Sequence, residues 1–164
     1  MQEISTLSFV IEPPEERARY LSVVPVVSGV RLTKLVESHD LGIGNLPPDG
    51  FAGLVRRSFN FGTWDRYFMA EAPSREIRRN GHYLLGCVCG EVRCWSLVAR
   101  IARTGELIVW DCFRQPNRPD RDYSSFGPFR FEIDQYRQAV VELASADPPK
   151  KRGSSLLRFL RSSS

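Results

Sequence analysis

Residues 83–114 read YLLGCVCGEVRCWSLVARIARTGELIVWDCFR, and this stretch decides the fold. Three runs of β-branched, aromatic and aliphatic residues alternate in it with short turn signals, which is typical of consecutive antiparallel strands. The runs predict strands at Tyr83–Cys89, Cys94–Ile101 and Glu106–Arg114, with Thr104–Gly105 as a two-residue hairpin loop. Because the runs are apolar on both faces, we expect a central β-meander that is covered by helices or loops.

The hairpin loop also predicts the register of the last two strands. With Thr104 and Gly105 in the loop, Arg103 should lie opposite Glu106, and Leu97 should lie opposite Cys112. A shift of one residue would turn every side chain of a strand to the other face. The predicted register is therefore the basis for placing the cysteines.

Outside the meander, helical periodicity recurs in two places. Gln135–Ala146 carries apolar residues at i, i+4 and i+7 behind Asp134, which we expect to be the N-cap. Leu32–His39 predicts a shorter amphipathic helix, and Ser22–Val27 predicts a strand that Pro25 should confine to a sheet edge. The sequence thus predicts an α+β fold, with a central antiparallel meander at about residues 83–114 packed by two or more helices.

Length and charge predict one domain with a basic tail. The chain has 164 residues, which suits a single domain. Residues 1–147 carry 18 Lys and Arg against 19 Asp and Glu, whereas residues 148–164 carry five Lys and Arg and no acid. We therefore expect an α+β domain at 1–147 and a disordered tail at 148–164. A body so near neutrality lacks the bulk charge of a nucleic-acid binder, so the tail would supply only weak nucleic-acid contact.

The N-terminal residues and the hydropathy predict a cytoplasmic protein. The sequence begins MQEIS, without a basic segment followed by an apolar one, and no apolar run is long enough to span a membrane. In the cytoplasm cysteines are reduced, metal-bound or redox-active more often than they form structural disulfides.

Four cysteines leave three interpretations open. Cys87, Cys89 and Cys94 form a C-x-C-x₄-C pattern around a turn, and Cys112 lies in the last strand. The simplest interpretation is that they are small apolar core residues. The alternative is a zinc- or thiol-dependent protein, in which the four thiolates bind zinc or Cys89 and Cys94 form a redox pair. The predicted register separates Cys87 from Cys112 by about 9–10 Å, so a zinc site would need a bulge.

Arginines and aromatic residues are concentrated in the segment after the meander. Arginine and tyrosine on a loop are typical of protein–protein contact residues, and arginine also suits carboxylates and phosphates. A solvated loop held by Arg–Asp pairs would have the same composition. The candidate partner-binding residues are Arg114, Arg118, Arg121, Tyr123 and Phe126.

A catalytic set is difficult to assemble from this sequence. Covalent catalysis needs a nucleophile beside a base, and strand parity turns His82 away from the cysteine face. We therefore expect a non-enzymatic protein-binding module, of the immunity or accessory type, with another protein as its partner. The remaining alternative is an enzyme acting on a small anionic substrate held by Arg114, Arg118 or Arg121.

Two segments resemble the same protein family. Leu84–Leu97 reads LLGCVCGEVRCWSL, and Gln115–Phe131 reads QPNRPDRDYSSFGPFRF. Together they resemble an uncharacterised family of small bacterial proteins with the pattern LLGCxCGExGCWPL followed by QPHRPxxDYSxFGPFxF. This chain departs from the pattern at Arg93, Ser96 and Asn117, where the family has glycine, proline and histidine. The resemblance implies no activity and no catalytic residue.

Overall fold

The structure is a computed structural model that describes residues 3–12, 21–46, 50–87 and 94–146. Its strands are β1 Leu7–Glu12, β2 Ser22–Val27, β3 Val30–Arg31, β4 Phe51–Ala52, β5 Leu54–Val55, β6 His82–Cys87, β7 Leu97–Thr104, β8 Leu107–Arg114 and β9 Phe129–Glu132. Its helices are α1 Leu32–Ile43, α2 Trp64–Phe68, α3 Arg75–Asn80 and α4 Ile133–Ala146, with a 3₁₀ turn at Arg56–Ser58. The predicted α+β class is confirmed.

The predicted meander forms the centre of one sheet. Strands β6, β7 and β8 are consecutive and antiparallel, in a five-stranded sheet of order β4-β6-β7-β8-β9. The hairpin loop between β7 and β8 is Gly105–Glu106, because Thr104 pairs with Leu107. Gly105 has a φ of 62°, which a two-residue hairpin loop requires at its first position and glycine adopts without strain.

The predicted register of this hairpin is wrong. Arg103 lies opposite Ile108 rather than Glu106. Further along β8 the pairing shifts again, because the two residues Cys112 and Phe113 lie opposite the single Ala99 of β7. This is a β-bulge, and Cys112 adopts a φ of 55° in it.

The other sheet is built around β2. Strand β1 pairs with β2 along its whole length, while β3 and β5 pair with the opposite edge at Val26–Val27 and Ser22–Val23. The expectation of an edge strand from Pro25 is therefore wrong. Pro25 lies between these two short pairings, where a missing N–H breaks no ladder hydrogen bond on that side.

The two sheets join into one curled sheet. β4 pairs with β6, and β5, one residue later, pairs with β2, so the segment around Gly53 crosses from one sheet to the other. At the opposite side Ser5, which precedes β1, forms a parallel bridge with Phe131 of β9. The curled sheet encloses the core with α2 and α4, whose buried residues are Trp64, Tyr67, Phe68, Ile133, Tyr136, Ala139, Val140 and Leu143.

Each of the two predicted helices extends beyond its predicted range, α4 at its N-terminal end and α1 at its C-terminal end. α4 begins at Ile133, and the Glu132 carboxylate accepts hydrogen bonds from the N–H groups of Asp134 and Gln135 at 3.0 and 2.9 Å. Glu132, not Asp134, thus satisfies the helix start, and these bonds lower the pKa of its carboxyl group. α1 continues to Ile43 and ends at Gly44, whose φ is 81°.

The predicted tail at 148–164 lies outside the described residues. In the part of the chain that the structure describes, no helix is both long and apolar enough to cross a membrane.

Candidate functional site

The arginine- and aromatic-rich segment predicted at Arg114–Phe129 forms the loop between β8 and β9, residues 115–128, which folds onto the C-terminal end of α1. Arg121, only 8% exposed, donates from Nη1 to the main-chain oxygen of Asn45 at 2.8 Å. The side-chain amide of Asn45 and Nε2 of His39 both lie within hydrogen-bonding distance of the carbonyl oxygen of Asp122, at 3.1 and 3.2 Å. These bonds attach the loop to α1.

The aromatic residues of the loop are part of the interior. Tyr123 and Phe126 are buried, and their rings pack against the ring of His39 with centroid distances of 5.6 and 5.2 Å. Phe126 also meets Phe113 of β8 edge-on at 4.8 Å. Three of the five candidate contact residues, Arg121, Tyr123 and Phe126, are therefore buried in contacts that attach the loop to the rest of the protein.

A buried polar cluster fixes the same contact. Asp40 of α1 is completely buried, and its Oδ1 accepts a hydrogen bond from the amide of Asn45 at 3.1 Å. The Tyr123 hydroxyl lies 3.4 Å from Asp40 Oδ2 and 3.3 Å from Gln115 Oε1. Because buried polar groups are costly when left unpaired, this cluster favours one position of the loop over others.

The exposed part of the site is a tryptophan beneath an arginine. The guanidinium carbon of Arg118 lies 4.4 Å from the ring centroid of Trp95, a cation–π contact. Trp95 is 49% exposed, although the backbone around it is held by Gln115, which donates to the Trp95 carbonyl at 3.0 Å, and by Asn117, which donates to the Cys94 carbonyl at 2.8 Å. We call these two side chains the Trp95–Arg118 platform.

Arg114 lies at the end of β8 and is exposed. Its Nη2 donates to the carbonyl oxygens of Asn80 at 2.9 Å and of Arg79 at 3.5 Å. These oxygens belong to the C-terminal turn of α3, where the helix dipole favours a positive charge. Arg114 therefore joins α3 to β8.

The four cysteines have different surroundings. Cys87 is buried in β6, Cys94 is half-buried, Cys112 is exposed at the bulge, and Cys89 lies outside the described residues. Cys87 and Cys112 are on β6 and β8 with β7 between them. Cys112 is level with His82, five residues from Cys87 along β6, so the two backbones are more than about 9–10 Å apart. Within the described ranges, no group of three or more His, Cys, Asp or Glu side chains could hold a metal ion.

The histidine considered as a base, His82, lies beneath α3. It is 6% exposed, its ring meets Tyr67 edge-on at 5.0 Å, and burial lowers its pKa to about 4. His82 pairs with Ala99 of β7, and Ala99 separates it from Cys112, so imidazole and thiol are on strands about 9–10 Å apart. A general base must lie within hydrogen-bonding distance of the proton it removes, which this arrangement does not provide for the Cys112 thiol.

The sequence interpretation missed Trp95, Asp40 and His39. The sequence pattern predicts Trp95 in a strand, whereas the structure places it in the segment before β7. The only signal for an exposed Trp95 is its position between Cys94 and Ser96, at the end of a turn. The pairing of Asp40 and His39 with the loop spans about eighty positions of sequence and had no local signal.

No protein-family model, curated protein or solved structure matches this chain. The resemblance at the meander and the following loop therefore stays a prediction from the sequence.

Proposed function

We propose that this chain is a non-enzymatic protein-binding module whose contact surface is centred on the Trp95–Arg118 platform. The observation that supports this function is an exposed indole held under a guanidinium at 4.4 Å. Tryptophan and arginine are the residues most enriched among those that dominate protein–protein binding energy. The complementary partner surface presents a carboxylate for Arg118 beside an apolar group for Trp95.

The platform is preorganised for binding, because hydrogen bonds hold the backbone and the loop that carry it. Gln115 and Asn117 hold the Cys94–Trp95 backbone, and the buried Arg121 and Tyr123 attach the loop to α1. Ordering a side chain at an interface costs about 0.5–1.5 kcal/mol, and a side chain that is already ordered avoids much of that cost. The buried loop residues therefore contribute to binding through position rather than through contact.

The test is a comparison of variants as baits. We expect Trp95→Ala and Arg118→Glu each to abolish capture of the partner from an extract of the native host, and to weaken the purified complex by about thirtyfold, as for a residue that contributes about 2 kcal/mol. Calorimetric titration of the purified pair measures the affinity. Near-ultraviolet circular dichroism of each variant verifies that the loop remains folded.

Arg103→Glu is the matched control. Arg103 is exposed at the far end of β7, where its Nε donates to the Gly105 carbonyl, so its reversal changes the net charge equally without touching the platform. Partner capture should survive this change. Equal capture by Trp95→Ala, Arg118→Glu and Arg103→Glu would refute the platform as the contact surface.

A further inference from the structure

A second surface feature is a groove that Arg114 helps to line. A groove of about 390 Å³ separates the C-terminal half of α3 from the face of β7 and β8. Its floor is apolar and buried, with Ile77, Ala99 and Ile101 each exposed by 6% or less. This volume falls in the range of small-molecule sites, about 300–1,000 Å³.

The rim of the groove is strongly cationic. Arg78, Arg79, Arg100 and Arg114 all line it, and no aspartate or glutamate among the described residues does. Arg100 is neutralised by Asp111, which accepts from its Nε at 2.8 Å and its Nη2 at 2.6 Å. The net positive charge of the groove therefore comes from the other three arginines.

These three arginines keep donors for a ligand. Arg78 and Arg79 are exposed on α3, and no ion pair joins either to an acidic residue in the described part of the chain. Arg114 uses only Nη2 for the carbonyls of α3, so its Nε and Nη1 lie outside those two bonds. A planar guanidinium binds carboxylate or phosphate oxygens in pairs, so convergent arginines above an apolar floor favour an amphipathic anion.

We propose that the groove between α3 and the β7–β8 face binds a small organic anion, with its phosphate or carboxylate on Arg78, Arg79 and Arg114 and its apolar body on Ile77 and Ile101. This site is separate from the Trp95–Arg118 platform and does not depend on the proposed protein-binding function. No chemical step is assigned to it.

Cys112 provides a local reporter of occupancy. Its exposed thiol lines the groove, and Arg100 and Arg114 line it as well. A ligand seated there should slow alkylation of Cys112 by iodoacetamide. Peptide mass mapping distinguishes Cys112 from the other cysteines, so the full chain can be used without substitution.

The experiment compares four probes by calorimetry and by Cys112 alkylation at neutral pH. Phenyl phosphate and benzoate carry the anion on an apolar ring, inorganic phosphate lacks the ring, and benzyl alcohol lacks the charge. We expect phenyl phosphate or benzoate to bind and to protect Cys112, and each of the other two probes to bind at least about tenfold more weakly. The ring anion that binds more tightly shows whether the groove prefers a phosphate or a carboxylate.

Arg78→Ala/Arg79→Ala is the test variant, and Arg75→Ala is its control. Arg75 is an exposed arginine of α3 that does not line the groove. Binding of the ring anion should weaken at least about tenfold in the double variant and stay unchanged in the control. Thermal unfolding without probe verifies that both variants keep α3.

Five results would overturn the proposal. If neither ring anion binds, the groove is not a ligand site. If inorganic phosphate binds as tightly as the ring anions, the apolar part of the ligand does not contribute to binding. If benzyl alcohol binds as tightly as the ring anions, the negative charge does not contribute to binding. Equal affinities in the arginine double variant and the wild type, or binding without protection of Cys112, would place the ligand elsewhere.

Discussion

At the scale of single residues, Gly53 has a geometric reason to be glycine. A Cβ atom built on it would lie 2.6 Å from the carbonyl oxygen of Val23 and 2.7 Å from Cγ2 of Val24. The first of these is a backbone atom of β2 and cannot turn aside. Gly53 therefore allows β4 and β5 to pass close to β2 where the two sheets join.

We expect Gly53→Ala to lower the free energy of unfolding by about 1–3 kcal/mol, the usual cost of overpacking a core. Chemical denaturation measures the change. Gly42→Ala is the matched control, because Gly42 lies in α1 and, apart from its chain neighbours and the helix backbone, no described atom lies within 4 Å of its Cβ position. This control should stabilise the protein by about 0.5–1 kcal/mol, since alanine is the better helix former. If both substitutions changed the free energy of unfolding in the same direction, the steric argument for Gly53 would be contradicted.

The bulge at Cys112 is a second feature of this scale. Trp110 and Phe113 are three residues apart and belong to the same buried core, whereas the two-residue period of a regular strand would place them on opposite faces. The extra residue returns Phe113 to the interior and leaves Asp111 and Cys112 outside, where Asp111 meets Arg100. The bulge therefore also places the Cys112 thiol at the groove.

At the scale of elements, one tyrosine joins three of them. The hydroxyl of Tyr136 on α4 donates to the carbonyl of Phe68 on α2 at 2.6 Å and accepts from Nε1 of Trp110 on β8 at 3.1 Å. Tyr136 and Trp110 are fully buried, and burial raises the pKa of the Tyr136 hydroxyl well above its ordinary value. The side chain is therefore a neutral donor and acceptor at every pH at which the protein is studied.

We expect Tyr136→Phe to cost about 2–4 kcal/mol of unfolding free energy, because it leaves two buried polar groups without their partner. Denaturant titration measures the loss, and the fluorescence of Trp110 should change with it. Tyr83→Phe is the comparison: its hydroxyl donates to the Glu76 carboxylate at 2.8 Å in a part-buried position, so water can replace much of that bond. A loss from Tyr136→Phe no larger than from Tyr83→Phe would argue against the buried network.

At the scale of the whole molecule, burial of His82 makes stability depend on pH between pH 6.5 and about pH 4. The pKa of His82 falls from 6.5 to about 4 on folding because burial disfavours the imidazolium. In that interval the unfolded chain binds a proton that the folded chain does not. Stability is therefore fully present above pH 6.5 and decreases as the pH falls towards 4.

We expect the unfolding free energy to decrease by roughly 3 kcal/mol across this interval in the wild type, and His82→Gln to remove most of that slope. The measurement is denaturant unfolding at a series of pH values. Asp65, Asp111, Asp122 and Glu132 have lowered pKa values from an ordinary 3.8 or 4.5, so their contribution is lost mainly below this interval. An unchanged slope in His82→Gln would show that His82 is not the source.

The sequence by itself determined the elements whose pattern is local. Three strands of the meander, α1 and α4 were predictable because alternation and helical periodicity are written into consecutive residues. It also identified the loop rich in arginine and aromatic residues, including Arg118, but it could not tell which of these side chains would be exposed. Arg121 and Tyr123 have the composition of a contact surface and serve as anchors.

Only the tertiary structure decided the features that depend on distant partners. The register of β7 and β8 followed from the positive φ of Gly105 and from the bulge, neither of which alternation encodes. Pro25 lies in a central strand because two short strands leave a gap beside it. The groove brings α3 against β7 and β8, and the platform brings Trp95 under Arg118, twenty-three positions later. Burial and proximity depend on packing between segments, and local sequence patterns do not record it.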